Sequence, residues 1–206
     1  MTTQALPTGP EWFGHPRGLF VCFATEMWER FSFYGMKYLL VLFLVQHHLF
    51  SDGEALRILG AYAALVYAMP LLGGIVSDRY LGQTKAVKLG GILLVLGHCA
   101  MAFEGVPATQ DIAGEVVRDD QAITVFYFAL ALIVVGVGLL KPNISTVVGR
   151  LYGDNDPRRD GGFTIFYMGI NIGAASASLL CGWLASAYGW AYGFGAAGIG
   201  MLIGLI

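Results

Sequence analysis

Long apolar stretches alternate with short polar segments along the whole chain. An α-helix needs about 20 apolar residues, each rising 1.5 Å, to cross a hydrocarbon core about 30 Å thick. Six stretches approach or exceed this length and predict six transmembrane helices, at residues 18–46, 55–76, 85–103, 122–151, 163–185 and 190–206. The pattern therefore predicts an all-α membrane protein that sits in a lipid bilayer. Residues 1–17 would form a short segment before the six-helix bundle.

The composition agrees with a chain that lies in lipid. Of the 206 residues, 56% are hydrophobic and 13% are charged, whereas soluble domains carry about 25% charged residues. The 29 glycines suit membrane helices, because small residues let two helix backbones approach closely. The net charge of −2 does not favour nucleic acid as a partner.

No sequence pattern of an enzyme or a metal site is present. The sequence contains no H-E-x-x-H, G-x-S-x-G, C-x-x-C or P-loop pattern, so we predict neither an enzyme, nor a metal site, nor a cofactor. The cysteines lie inside apolar stretches without pairing or metal-ligand spacing, and we expect all three to be small core residues: Cys22, Cys99 and Cys181. His98 is expected to be a satisfied core histidine rather than a proton relay. His47 and His48 are expected at the membrane interface.

Basic residues concentrate at one end of the predicted bundle. Seven lie on the side of the N-terminus: Arg17, Arg79, Lys85, Lys88, Arg150, Arg158 and Arg159. Two, Arg57 and Arg118, lie on the opposite side. The positive-inside rule predicts a multi-pass protein of the cytoplasmic membrane with its N-terminus in the cytoplasm.

The sixth apolar stretch runs to the last residue without a cap or a basic flank. Many transporters consist of two six-helix halves packed around a site near the bilayer midplane. We therefore expect this chain to be the N-terminal half of such a transporter, and we expect a C-terminal six-helix half as its partner.

Helix 1 carries charges where a membrane helix should be apolar. At 100° per residue, six residues fall within an arc of about 140°: Glu26, Glu29, Arg30, Phe33, Tyr34 and Lys37. Four uncompensated charges in one span would cost on the order of 10 kcal/mol. This face must therefore line a polar pathway or belong to a structural salt-bridge cluster, and we favour the pathway.

Two other helices supply polar residues at similar depth. Lys141 lies nine residues before Arg150, roughly 13 Å inside the membrane, so an ion pair with Glu29 is expected, with snorkelling of the lysine as the alternative. Pro142 should kink helix 4. On helix 5, Asn171 is either a link between helices or a substrate contact. Small residues at a spacing of four predict a close-packing face: Gly169, Gly173 and Ala177.

Four segments carry a family resemblance. The chain reads EMWERFSFYG from Glu26 and FYMGINIG from Phe166. These segments resemble the E-x-x-E-R-F-x-Y-Y-G and F-Y-x-x-I-N-x-G signatures of the proton-dependent oligopeptide transporter (POT) family, within the major facilitator superfamily. The segment from Gly73 to Lys85 is similar to the superfamily loop between helices 2 and 3, and its motif positions are Gly74, Asp78, Arg79 and Gly82. The Lys-Pro-Asn sequence at 141–143 also fits the family.

The chain departs from the family pattern at three positions. Phe33 stands where the first tyrosine of the signature is usual, and Ser77 stands where alanine is usual. Lys37 stands where arginine is frequent. The changes at Phe33 and Lys37 could tune side-chain preference, but none of the three gives a reason for loss of transport.

The resemblance implies proton-coupled symport of di- and tripeptides by alternating access. It implies that Glu26, Glu29 and Lys141 couple transport to H⁺. It also implies a set of substrate-binding residues: Arg30, Phe33, Tyr34, Lys37, Tyr67, Lys141 and Asn171. The alternatives are a symporter of a non-peptide anion such as nitrate and a membrane scaffold without a transport cycle.

Overall fold

Six helices make up most of the computed structural model, which describes residues 10–153 and 155–205. They are α1 (Arg17–Gln46), α2 (Asp52–Val76), α3 (Gln83–Met101), α4 (Asp120–Arg150), α5 (Arg159–Tyr188) and α6 (Trp190–Gly204). Residues 1–9 of the predicted N-terminal segment and residue 206 of the predicted sixth helix lie outside the described residues. Every described helix boundary falls within four residues of the prediction.

The helices differ in how well their composition suits lipid. Four are long and apolar enough to cross a membrane, and these are α2, α3, α4 and α5. Helix α1 is 30 residues long but carries four charged residues in its centre. Helix α6 is apolar and has 15 residues. The all-α membrane fold predicted from the sequence is confirmed.

Local side-chain and backbone chemistry sets the helix ends. Ser51 and Glu54 form a capping box at the start of α2, in which the Ser51 backbone N–H donates to Glu54 Oε2 at 2.9 Å. Asp119 Oδ1 caps α4 by accepting from the N–H of Gln121 at 3.0 Å. Gly189 separates α5 from α6 with a φ of 110°, a conformation that favours glycine.

The bundle consists of two groups of three helices. Helix α1 packs against α5 and α6, while α4 packs against α2 and α3, and α3 joins the groups by packing on α6. The predicted small-residue face of α5 is confirmed, because Gly169, Gly173 and Ala177 are all buried. A Cβ on Gly173 would lie 2.1 Å from the carbonyl oxygen of Met27. Glycine therefore permits the close crossing of α1 and α5.

A second close crossing joins α2 to α4. Pro142 lies inside α4, which continues to Arg150. Because proline has no N–H, the carbonyl of Gly138 loses its usual helical donor. This carbonyl faces α2 at Gly73, where an added Cβ would lie only 2.0 Å from the oxygen. Pro142 and Gly73 thus act together at one helix crossing.

The loop motif between α2 and α3 begins as one turn of π-helix, Ser77–Leu81. Asp78 and Arg79 are exposed on this turn. Gly82 ends it with a φ of 73° and donates its N–H to the Ser77 carbonyl at 2.8 Å. Gly74 is half-buried and faces Pro142 of α4. Only Gly82 among these motif residues adopts a backbone conformation that requires glycine.

Two short hairpins lie outside the helices and were not predicted. The first pairs β1 (Glu11–Trp12) with β2 (His15–Pro16). Arg158, before α5, holds this hairpin by donating to Glu11 Oε1 at 2.8 Å and to the Gly14 carbonyl at 2.9 Å. The second hairpin pairs β3 (Thr109–Gln110) with β4 (Val116–Val117) in the acidic loop before α4.

Several single-residue predictions need correction. Cys22 and Cys181 are buried as expected, but Cys99 is exposed. His98 is fully buried, yet neither ring nitrogen has a hydrogen-bond partner among the described residues, so it is not satisfied. His47 and His48 are buried, because both rings pack around Phe43, at 5.0 Å and 4.7 Å between ring centres; their position at the membrane interface stays a prediction.

Candidate functional site

A buried ion-pair cluster occupies the middle of α1. Arg30 Nε lies 3.2 Å from Glu26 Oε1, one helical turn earlier, and it also donates to Glu29 Oε2. Glu26, Glu29 and Arg30 are 3%, 1% and 4% exposed, so the ion pairs lie in a poorly hydrated environment where charges interact strongly. The sequence prediction that one face of α1 gathers these charges is confirmed.

Each member of this cluster keeps an unused polar atom. Glu26 Oε2, Glu29 Oε1 and Arg30 Nη2 have no hydrogen-bond partner within the part of the chain that the structure describes. A buried polar atom without a partner costs about 1–3 kcal/mol, and more when it is charged. The cluster is therefore suited to accept a proton on a carboxylate or an anion on the guanidinium.

The aromatic ring of Phe33 lies beside the Arg30 side chain on α1. The ring of Phe33 lies 5.2 Å from the Arg30 guanidinium carbon and 5.9 Å from the Lys37 ammonium. Phe33 also stacks on Tyr62 of α2, with 6.3 Å between ring centres. Tyr34 is half-buried beside Phe33, at 5.2 Å between ring centres. Phe33 thus lies near two cations, and its ring attracts both through cation–π interactions.

Lys141 of α4 lies over an aromatic ring of α2. Its ammonium is 5.4 Å from the ring centre of Tyr67, a residue that is 69% exposed. Lys141 forms no ion pair with any described residue, and Glu29 contacts Arg30 instead. The exchange of Glu29 between Lys141 and another partner stays a prediction.

Asn171 does not link two helices. It is exposed on α5, and its Nδ2 donates to the Tyr167 carbonyl of the same helix at 3.3 Å. Within the part of the chain that the structure describes, Asn171 makes no link to another helix, and that interpretation stays open. Its amide oxygen remains available to a ligand, and its role as a substrate contact stays a prediction.

The charges of the site do not cancel. It contains two carboxylates, Glu26 and Glu29, and three cations, Arg30, Lys37 and Lys141. With all five groups ionised, the site carries one surplus positive charge. Arg30 is held by both carboxylates, whereas neither lysine has an acidic partner among the described residues. An anionic ligand of charge −1 would neutralise this site.

An apolar cavity of about 340 Å³ lies between α2 and α4. Tyr62 lines this cavity and also stacks on Phe33, so it joins the cavity to the ring beneath Arg30. Leu65 and Ala131 contribute to the apolar wall. The cavity could hold an uncharged side chain beside a bound carboxylate.

Sequence reasoning did not identify Tyr62. It is 3% exposed, and its hydroxyl has no partner among the described residues. It lies five residues before Tyr67 in an apolar stretch that contains no charge. Only the packing of α2 against α1 distinguishes the buried tyrosine from the exposed one.

A six-helix membrane bundle with ionisable side chains buried in its centre is typical of a transport protein. The known proteins that resemble the chain agree with this class. The sequence model of the POT family matches residues 84–206, more than half of the chain. The chain belongs to the POT family.

Three relatives are similar over nearly the whole chain. An uncharacterised transporter of Bacillus subtilis is 46% identical over 94% of the chain. The peptide transporter YePEPT of Yersinia enterocolitica is 43% identical over 100% of it. A di-/tripeptide transporter of Lactococcus lactis is 40% identical over 96% of it. The chain spans 37%, 38% and 38% of the lengths of these three relatives.

Solved structures of the family share the fold. The crystal structure of a peptide transporter POT in complex with sulfate superimposes with a TM-score of 0.85 at 42% identity, covering 95% of this chain and 38% of that one. A POT family transporter in complex with a thioalcohol-conjugated peptide gives a TM-score of 0.79 at 35% identity, covering 94% and 38%. The six helices therefore have the all-α major-facilitator arrangement.

Proposed function

We propose that this chain forms one half of a transporter that moves di- and tripeptides together with protons across the cytoplasmic membrane. The observation that carries the proposal is the buried Arg30 with its two carboxylates, set beside two lysines without acidic partners. A peptide has one carboxylate at its C-terminus, which matches the surplus positive charge of the site. The names of two relatives, a peptide transporter and a di-/tripeptide transporter, support this substrate class. The protein acts as a transporter and not as an enzyme.

Protons couple through Glu26 and Glu29. Burial favours the protonated form of a carboxylic acid, while Arg30 favours the ionised form. Protonation of Glu29 would weaken its ion pair with Arg30 and free the guanidinium. When Glu29 is ionised, it exchanges between Arg30 and Lys141 as partners during the transport cycle. H⁺ is therefore the coupling ion. Among the described residues, no group of acidic, histidine or cysteine side chains could hold a metal ion.

Arg30 and Lys141 receive the substrate carboxylate from two helices. Arg30 offers Nη2, while its Nε stays oriented by the two glutamates. Lys141 offers its ammonium, which lies over the face of Tyr67 and forms no ion pair with a described residue. A charge-assisted hydrogen bond in a poorly hydrated site is worth about 1.5–3 kcal/mol.

Further residues contact the rest of the peptide. Phe33 and Tyr34 present ring surfaces, and Lys37 adds a second ammonium at the edge of the site. Asn171 on α5 offers its amide oxygen to a peptide N–H. The cavity between α2 and α4 accepts an apolar side chain of the substrate. Tyr67 acts with Lys141, because the ring keeps the ammonium in place until an anion arrives.

A second six-helix half completes the transporter. The chain spans about 38% of its relatives' length, and the resemblance to the family implies that the second half supplies the anion that binds the peptide amino group. The two halves rock about the central site and expose it to each side of the membrane in turn. The loop motif with Gly74, Asp78, Arg79 and Gly82 shapes the end of α2 that moves against the partner half.

The bundle is oriented with the beginning of α1 in the cytoplasm. The positive residues at that end support this orientation. A cysteine introduced at Ala113, in the acidic hairpin loop, should react with an impermeant reagent added outside intact cells. A cysteine introduced at Asn155 should react only after the cells are opened, and the reverse pattern would overturn the orientation.

Uptake of a labelled dipeptide tests the proposed function. The full-length transporter is reconstituted into liposomes with an acidic exterior, and entry of labelled dialanine and labelled nitrate is compared. Accumulation of the dipeptide that collapses with a protonophore supports the proposal. Accumulation of nitrate without dipeptide, or no proton-driven transport of either, contradicts it.

A further inference from the structure

A second cavity opens between α4 and α5 at the end of the bundle where α1 begins. Its volume is about 690 Å³, and its wall carries hydroxyl groups from Ser145, Thr146 and Tyr167 and guanidinium groups from Arg150 and Arg159. This cavity is separate from the ion-pair cluster of α1, because none of Glu26, Glu29 and Arg30 lines it. No residue of this cavity was predicted as functional.

One arginine of this cavity reaches α4 beside Gly149. A Cβ on Gly149 would lie 3.4 Å from Nη2 of Arg159. The guanidinium from the start of α5 thus lies against the last turns of α4, where Arg150 ends the helix. The two arginines converge from two different helices on one space.

These two arginines are not neutralised by the described residues. Neither forms an ion pair there, whereas the neighbouring Arg158 is held by Asp156 and Glu11 at 2.8 Å each. No carboxylate occurs among the described residues that line the cavity. The start of α5 adds the positive end of its helix dipole at the same place. Within the described residues, the lining of the cavity is therefore polar and carries two guanidinium charges without a matching carboxylate.

The cavity lies along the same face of α4 as Lys141. Lys141, Ser145 and Gly149 follow at intervals of four residues, so they lie on one face of the helix. Arg150 lies nine residues beyond Lys141, about 13 Å along the axis. An anion that leaves Lys141 towards this end of the bundle therefore passes the hydroxyl groups and reaches the arginines.

We propose that Arg150 and Arg159 form a second carboxylate-binding station at the cytoplasmic mouth of the transporter. It holds the C-terminal carboxylate of a peptide that leaves towards the cytoplasm after the peptide has contacted Lys141. It also holds the carboxylate of a peptide that enters from the cytoplasm before the peptide contacts Lys141. This inference rests on the proposed function, because it takes the same peptide as its ligand. The station acts on one side only, since it is distant from the outer end of α4.

Sided exchange measurements test the station. The full-length transporter, wild type or with both Arg150→Gln and Arg159→Gln, is reconstituted, and exchange of labelled dialanine is followed while the peptide concentration is varied on one side at a time. We expect the half-saturating concentration on the cytoplasmic side to rise roughly three- to tenfold, the size expected for partly hydrated charge pairs. The value on the outer side should stay within about twofold of wild type, which also shows that the variant is folded.

The control and a second substrate make the result specific. Lys88→Gln removes a positive charge at the same end of the bundle, on exposed surface outside this cavity, and should leave both values unchanged. A dipeptide amide, which lacks the carboxylate, should show no difference between wild type and the double variant. An equal rise on both sides, the same rise in Lys88→Gln, or no rise at all would overturn the station. Absence of dipeptide exchange in wild type would instead overturn the proposed function.

Discussion

The ammonium of Lys141 lies 5.4 Å from the ring centre of Tyr67 and has no ion-pair partner among the described residues. Arg30, in contrast, is held by two carboxylates inside the bundle. One cation is thus ready for a ligand, while the other can bind fully only after a glutamate is protonated. In the proposed mechanism, this difference connects substrate binding with proton binding.

The first prediction concerns the substrate carboxylate. Lys141→Gln removes the cation that lacks an acidic partner, so the preference for a dipeptide over its C-terminal amide should fall roughly 10- to 100-fold, in line with a charge-assisted hydrogen bond. Arg30→Lys keeps the charge but loses the planar fork, and the preference should fall roughly tenfold. Competition against labelled dialanine measures both preferences.

The amide is the internal control for this comparison, because it lacks only the charge that the cations bind. If both variants kept the full preference for the free acid, the anchor would lie in the partner half. If only Arg30→Lys lost it, Lys141 would have no role in carboxylate binding.

The second prediction concerns the apolar cavity between α2 and α4. Ala131→Phe places a ring in this cavity from an exposed position on its wall. The affinity for dileucine should fall roughly tenfold, because the leucine side chain loses buried apolar area, while dialanine should bind as before. Ala64→Phe adds the same ring on α2 outside the cavity and should change neither affinity. Equal loss for both peptides would show that the cavity does not select side chains.

The third prediction concerns the crossing of α1 and α5. Gly173→Ala puts a Cβ 2.1 Å from the Met27 carbonyl oxygen, so the helices must separate, and the free energy of unfolding should fall by about 1–3 kcal/mol or more. Gly182→Ala on the same helix meets nothing within 4 Å and should be neutral or slightly stabilising. Thermal unfolding of both variants decides the point, and equal midpoints would contradict the close crossing.

The sequence predicted those parts of the fold that depend on local pattern. The lengths of the apolar stretches predicted the helix boundaries to within four residues, and the spacing of Gly169, Gly173 and Ala177 predicted a packed face. Helical periodicity also predicted that Glu29 and Arg30 share one face of α1, because both residues belong to the same helix. These features depend on the chain only over one or two helical turns.

Features that depend on contacts between distant segments were missed. The hairpin at Glu11–Pro16 forms because Arg158 holds it across nearly 150 positions of sequence. Tyr62 gains its role from Phe33 on another helix. The cavity with Arg150 and Arg159 depends on how α4 and α5 diverge. Periodicity within one segment carries no information on such pairings.

The fourth prediction concerns pH and His48, which lies beyond the end of α1. Burial, together with the nearby His47, lowers the pKa of His48 to about 4, although Asp119 opposes the shift and Arg118 adds to it. Because the folded state binds this proton more weakly than the unfolded state, His48 contributes its stability fully above about pH 6.5 and loses it as the pH falls towards 4. The midpoint of thermal unfolding should therefore drop between about pH 7 and about pH 5.

A variant isolates this contribution. His48→Gln removes the titrating group, and its unfolding midpoint should change less over the same pH interval than that of wild type. An identical pH dependence in the variant would show that His48 binds protons equally in the folded and unfolded states.

Proton movement during peptide uptake tests the central claim most directly. Liposomes that contain the full-length transporter and a pH-sensitive dye receive dialanine from outside. Wild type should acidify the interior only when the dipeptide is added. Glu29→Gln should abolish this acidification and gradient-driven uptake while exchange of labelled for unlabelled dipeptide continues, because the site still binds the peptide but no longer releases the coupling proton. Dipeptide entry without acidification in wild type, or undiminished acidification in Glu29→Gln, would contradict the account.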